Sequence, residues 1–167
     1  MSTKQDKILN HEEITHKIKR IAYQIYESNV DETELILAGI VSNGYALAEL
    51  LKQQLEVISD LNVEICKVVV DKKNPLAEIK TSLSPAAYAN KSIVLVDDVL
   101  NSGSTLMYSV KHFLNVPLKR FKTAVLVNRN HKKYPVKADF KGISLSTSLH
   151  EHVRVNIDVK ASAAYLD

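Results

Sequence analysis

Three apolar runs at residues 34–41, 92–96 and 121–127 constrain the fold most, because none of them keeps a strict alternation with polar residues. A strand that rejects charge on both faces is buried on both, as in parallel sheets covered by helices. Segments before and between them carry the helical period. Ile14, Ile18, Ile21 and Ile25 recur at three and four across residues 11–29, opened by Asn10 and Glu13 in capping-box order. Leu47, Leu50 and Leu51 mark a helix from Tyr45 to about Leu55, and 105–114 reads as another. A β-branched strand is expected at 63–70, with further strand candidates at 138–146 and 152–159. The order strand, helix, strand, loop, strand, helix, strand predicts one α/β domain over residues 1–167, a mostly parallel sheet flanked by helices.

At 167 residues, 46% hydrophobic and 25% charged, the composition is that of a globular domain and excludes disorder or a fibrous repeat. The longest apolar runs are far too short to cross a bilayer, so no membrane partner is expected. Met1-Ser-Thr-Lys-Gln-Asp-Lys7 has no apolar export core, and the single Cys66 cannot form an internal disulfide. Both features predict a cytoplasmic location. A net charge of +3 permits an anionic ligand without arguing for nucleic acid.

The informative segment is Ile93-Val-Leu-Val-Asp-Asp-Val-Leu-Asn-Ser-Gly-Ser-Thr105, in which a buried strand is expected to end at Asp97 and Asp98. The small-residue loop Asn101, Ser102, Gly103, Ser104 and Thr105 then opens a helix. Helix N-termini offer unpaired N–H groups and partial positive charge, so the loop reads as a phosphate cradle. Two acids beside it would repel a bare phosphate, which suggests a ligand with hydroxyls or Mg²⁺ next to its phosphate. A sugar phosphate fits. An Asp that merely ends a strand or caps a helix accounts for one carboxylate but not for the whole array. No Walker loop and no Gly-x-Gly-x-x-Gly is present. A phospho-accepting receiver domain would keep its paired acids on the first strand, not the third.

Other signals are weaker. His150-Glu-His152 has no further ligand cluster, Lys119-Arg-Phe-Lys122 reads as a solvated strand entry, and Cys66 as a buried, inert thiol. Residues 71–90 lack periodicity and carry Lys72, Lys73, Lys80, Pro75 and Pro85, as a functional lid would.

The Ile93–Thr105 segment resembles the phosphoribosyl-pyrophosphate (PRPP) motif of type I phosphoribosyltransferases, with Asn101 departing at a position the family varies. Ile8-Leu-Asn-His-Glu-Glu-Ile14, Arg20-Ile-Ala22, Ala124-Val-Leu-Val-Asn-Arg-Asn-His131, Tyr134-Pro-Val-Lys-Ala-Asp-Phe140 and Thr147-Ser148 with Glu151 and Val153 extend the likeness over nearly the whole chain. They resemble the PyrR group, pyrimidine-operon attenuators that also act as uracil phosphoribosyltransferases. The resemblance implies that family's sheet with a flexible lid and a small hood. It implies transfer of phosphoribose from PRPP to a nucleobase, uracil first, giving a nucleoside monophosphate and pyrophosphate.

By the same resemblance Asp97 and Asp98 would hold the ribose hydroxyls and influence Mg²⁺, and residues 101–105 would bind the 5′-phosphate. Ser42, Asn43 and Gly44 would form the pyrophosphate loop. Arg129, just past a strand, would face the base, Ser146 and Thr147 would frame it, and Lys72 and Lys73 would sit on the lid. A homo-oligomer, dimer or more, is expected. Three departures stand out: Asn43 where the group has Arg, Val-Asp-Lys-Lys where it has Arg-Asp-Asp, and Ser104 where Arg is common. Lys supplies only a point charge in place of the Arg fork, and Asn supplies none. Two alternatives therefore stand beside the enzyme: a nucleotide-sensing, RNA-binding regulator with little catalysis, and a non-catalytic relic that binds nucleotides. Arg20 persists on the helix the group uses for RNA, but Lys19, Tyr23 and Ser28 replace its usual residues, which weighs against RNA.

Overall fold

Asn10 starts the first helix as its spacing requires. Its side chain accepts from the Glu13 amide at 2.9 Å, while Glu13 accepts from the Asn10 amide at 2.8 Å. The computed structural model describes residues 5–167; residues 1–4, part of the stretch read for an export signal, lie outside the described residues. In chain order the elements are β1 (Asp6–Leu9), α1 (His11–Ser28), β2 (Glu34–Ile40), α2 (Asn43–Ile58), β3 (Asn62–Val69), β4 (Lys80–Thr81) and α3 (Pro85–Tyr88). There follow β5 (Ser92–Leu100), α4 (Ser104–Phe113), β6 (Arg120–Arg129), β7 (Phe140–Leu145), β8 (Val153–Asn156) and β9 (Ala163–Leu166). Among the described residues no helix is long and apolar enough to cross a membrane.

Six strands form one sheet in the order β4-β3-β2-β5-β6-β7, parallel throughout except for β4. Both faces are covered. Leu35, Leu37, Val94 and Val96 face α1 and α2, where Ile14, Ile21, Leu47 and Leu51 are fully buried. Ile36, Ala38, Ile93 and Leu95 face the other layer, with Tyr88, Leu106 and Phe113. Each fully buried isoleucine or leucine contributes roughly 1.5–3 kcal/mol of transfer free energy. The chain winds away from β2 in two directions, to β3 on one side and β5 on the other. This leaves a crevice at their carboxyl ends, where such sheets place ligands. Above it, β1, β9 and β8 make a separate three-stranded antiparallel hood. The hood packs through Leu9, Val155 and Ala164 on the α1–α2 layer.

Several boundaries differ from expectation. Strand β5 does not end at the paired acids but runs through them to Leu100, because β6 keeps pairing alongside, Asp97 opposite Val125 and Val99 opposite Val127. Arg129 is the last residue of β6 rather than just past it. Helix α2 begins at Asn43, so Asn43 and Gly44 belong to its first turn and not to a free loop. The segment 71–90 is irregular only to Ile79. Beyond that β4 pairs with β3, and Tyr88 is fully buried against Phe113 with ring centroids 4.9 Å apart. Arg20 is structural: its guanidinium donates to the carbonyls of Lys141 at 3.3 Å and Gly142 at 2.6 Å, capping acceptors on the edge strand β7.

Candidate functional site

The carboxyl ends of β2 and β5 bring the two acids against the start of α2. A Cβ on Gly44 would stand 2.6 Å from the Val96 carbonyl oxygen and 3.1 Å from Asp97 Oδ1. Only glycine lets the helix sit this close to the strand. The preceding peptide bond, Val41–Ser42, is cis, and Ser42 makes no side-chain cap.

Asp97 is 2% exposed. Its Oδ1 accepts the Asp98 amide at 2.9 Å and lies 3.7 Å from Lys72 Nζ. Burial, reinforced by the neighbouring Asp98 charge and only partly opposed by Lys72, pushes its carboxyl up to about 8. Asp98 is half-buried. Its Oδ1 accepts the Val99 amide at 2.9 Å and its Oδ2 accepts from Asn43 Nδ2 at 3.1 Å. Asn43 Nδ2 also donates to the Val155 carbonyl of the hood at 2.8 Å.

Past β5 the chain turns through Asn101–Gly103 into α4. Gly103 has φ +88°, and a Cβ there would lie 2.5 Å from Val136 Cγ1. No side chain caps α4, and Ser102 Oγ accepts the Ser104 amide at a long 3.3 Å. The first turn therefore presents N–H groups to an anion, with Ser102, Ser104 and Thr105 around a cavity of about 70 Å³ that Lys72 and Asp97 also line. A larger cavity of about 170 Å³ lies between Leu76 and His112, but it contains no carboxylate pair and no helix start.

Arg129, only 7% exposed, does not present a free fork to the crevice. It donates to Asn101 Oδ1 at 3.0 Å, to Thr147 Oγ1 at 2.7 and 3.0 Å, and to the carbonyls of Ser148 at 3.3 Å and Glu151 at 2.7 Å. Asn130 Nδ2 donates to Ser146 Oγ at 2.8 Å, and His131 Nε2 bonds the Thr147 carbonyl. Glu151 Oε2 accepts the Ser148 amide at 2.6 Å, which holds its carboxyl below the usual range. The 146–151 segment is thus strapped to the end of β6 and, through Arg129, to the Asn101–Gly103 turn.

The structure brings Asp97, Asp98, Asn43, Gly44, Lys72 and residues 101–105 together; Arg129 joins them through Asn101 and holds Thr147, whereas Ser146 is exposed and bonded only to Asn130. Ser42 lies exposed at the rim. Lys73 does not join them; only its amide is engaged, donating to Asp71 Oδ1 at 2.9 Å. The bracing roles of Glu151 and His131 were not legible beforehand; their one signal was their place in the quoted family motifs.

A metal held here would meet two carboxylates, and among the described residues no third His, Cys, Asp or Glu joins them in a cluster. That donor set fits Mg²⁺, which takes one or two protein carboxylates and completes its shell with water and phosphate oxygens. A cation would also offset the charge burial that raises Asp97.

A family model described as "Phosphoribosyl transferase domain" matches residues 4–161. Similar curated proteins include "Bifunctional protein PyrR" of Synechocystis sp., 35% identical over 89% of this chain and 87% of its own length. The protein of that name from Streptococcus mutans is 32% identical over 94% and 90%. Among solved structures, the hypoxanthine phosphoribosyltransferase of Trypanosoma cruzi superposes with a TM-score of 0.76 at 16% identity, covering 95% of both chains. A hypoxanthine-guanine phosphoribosyltransferase from Bacillus anthracis gives 0.74 at 18% identity, covering 95% of this chain and 96% of its own.

Proposed function

Since the chain belongs to the phosphoribosyl transferase domain family, we propose that it transfers the phosphoribosyl group of PRPP to a nucleobase, uracil first, releasing pyrophosphate. One observation carries the reading: an uncapped helix start and two carboxylates share the crevice where the sheet changes winding direction. The 5′-phosphate would lie on the first turn of α4, among Ser102, Gly103, Ser104 and Thr105. Asp98 would accept the ribose hydroxyls. A carboxylate has about four lone-pair sites, and the Val99 and Asn43 bonds leave two for the ribose.

Mg²⁺, held by Asp97 together with oxygens of PRPP, would neutralise the departing pyrophosphate. Lys72 can exchange its Asp97 partner for a phosphate oxygen without moving far. In the transfer the bond from ribose C1 to pyrophosphate breaks and a base nitrogen bonds to C1. The bonding electron pair leaves with pyrophosphate, and the proton the base nitrogen sheds passes to pyrophosphate or to water. The protein's share is positioning and the exclusion of water: the cradle fixes the sugar, the 146–151 wall braced by Arg129 frames the base, and residues 71–79 close the open side.

A second reading, a nucleotide sensor with little turnover, is favoured by Asn43. Its amide is tied to Asp98 and Val155, and no arginine fork stands in its place for pyrophosphate. The test is incubation with labelled PRPP, Mg²⁺ and a panel of bases. Uridine monophosphate as product supports the enzyme; nucleotide binding without product supports the sensor. Neither binding nor product overturns both.

A further inference from the structure

We infer that Asn43 couples the sugar site to the hood, so that a ribose hydroxyl bonded to Asp98 stiffens β8 where it already lies over the crevice. The inference rests on the reading of Asp98 as the ribose acceptor and assigns Asn43 a positioning role within it. Asn43 Nδ2 donates at 3.1 Å to Asp98 Oδ2 and at 2.8 Å to the Val155 carbonyl. Both neighbours are acceptors only, so the amide cannot be reversed without setting its oxygen against two others. Both N–H groups are therefore spent on joining a residue of β5 to a residue of β8.

Helix α2 cannot drift away from this arrangement independently, because Gly44 is pressed against the backbone of Val96 and Asp97. The hood, by contrast, is a three-stranded sheet separate from the six-stranded one. Val155 is buried in the α1–α2 core layer, while the neighbouring Arg154 and Asn156 are exposed. A hydroxyl bonded to Asp98 fixes the carboxylate, a fixed carboxylate holds the Asn43 amide, and the amide holds the Val155 carbonyl. By linkage the effect is reciprocal: a hood held in place tightens ribose binding by the same factor. The segment 146–151 runs directly into β8, so the same stiffening would reach the base side of the crevice once the sugar has bound.

The experiment compares uridine monophosphate with its 2′,3′-dideoxy counterpart, each at saturating concentration, on the natural protein and on Asn43→Ala. The readout is amide hydrogen exchange in residues 153–156 and 163–166. With the natural protein, uridine monophosphate should slow hood exchange at least fivefold and the dideoxy nucleotide less than twofold. In Asn43→Ala the two nucleotides should slow it equally little, while the 5′-phosphate still binds at the cradle. A merely structural Asn43 would speed hood exchange in the free protein and leave the ribose-dependent increment intact, which overturns the coupling. Ribose-dependent affinity without ribose-dependent hood protection also overturns it and leaves the Asp98 reading standing. Equal affinity for the two nucleotides overturns that reading and the coupling with it. Should Asn43→Ala fail to fold, the two-nucleotide comparison on the natural protein decides, with Asn43→Ser as the second variant.

Discussion

Replacing Asp97 by Asn should stabilise this protein at pH 8 while weakening its hold on a metal–phosphate ligand. Asp97 is 2% exposed, beside the Asp98 charge, with its partner Lys72 half in solvent at 3.7 Å. Its carboxyl is pushed up to about 8, against 3.8 for an ordinary aspartate. In that interval the folded chain holds a proton that the unfolded chain has released, so stability falls as pH rises from about 4 to about 8 and is level above. At about 1.4 kcal/mol per pH unit the full loss is roughly 5–6 kcal/mol. Asn keeps the acceptor for the Asp98 amide, now 2.9 Å from Asp97 Oδ1, but bears its own amide burial. About half the gain, roughly 3 kcal/mol, should therefore survive. For a chain of this size that is a Tm higher by roughly 6–12 °C. Thermal denaturation of both proteins from pH 5 to pH 9, with EDTA to exclude divalent cations, checks it. The Asn variant should be about 1 kcal/mol less stable at pH 5, cross over at about pH 6 and reach its full advantage at pH 8. A difference that does not change with pH, or an Asn variant less stable at pH 8, would refute the reasoning.

Gly103→Ala forces a side chain into φ +88° and against Val136 at 2.5 Å; a loss of about 1–3 kcal/mol in urea denaturation is expected, with at least tenfold weaker nucleotide binding by calorimetry. Arg129→Lys keeps the charge but cannot reach Asn101, Thr147 and Glu151 together; it should cost about 2–4 kcal/mol, measured in the same urea titration, and loosen residues 146–151 to proteolysis. Lys72→Met removes the cation that opposes the rise at Asp97, so Asp97 should titrate at a still higher pH, followed by carboxyl carbon NMR. Hydrogen exchange should be fast over residues 71–79 and slow by Ala89, whose amide donates to the Pro85 carbonyl at 2.9 Å behind the buried Tyr88.

Most of the large sheet is legible in the chain because its strands are buried on two faces, and burial on two faces leaves apolar runs. The hood is not. Asp6-Lys-Ile-Leu9 and Ala163-Ala-Tyr-Leu166 are four residues each, and each finds its partner far along the chain, so no local period marks them. Asp97 and Asp98 signal a strand end by polarity, yet a neighbouring strand that goes on pairing carries β5 through them. Tyr88 sits among small polar residues that read as a loop, and only the rings of α4 and β6 make that place a core. In the site, the residue types announce a sugar phosphate. The partners of Asn43 and Arg129 follow instead from which loops the fold sets side by side, which spacing along the chain does not encode.

The hood also fixes an order of assembly. Every strand of the six-stranded sheet is in place once residue 145 exists, whereas β1 waits for β9 at residues 163–166. Contacts separated by that much chain pay their loop-closure entropy late. A chain leaving the ribosome would thus complete the six-stranded sheet before the hood, and Lys7 and Leu9 would stay unpaired until β9 emerges. Floor precedes roof, so damage to the last strands should leave a folded cradle that still captures phosphate but has lost the upper half of its crevice.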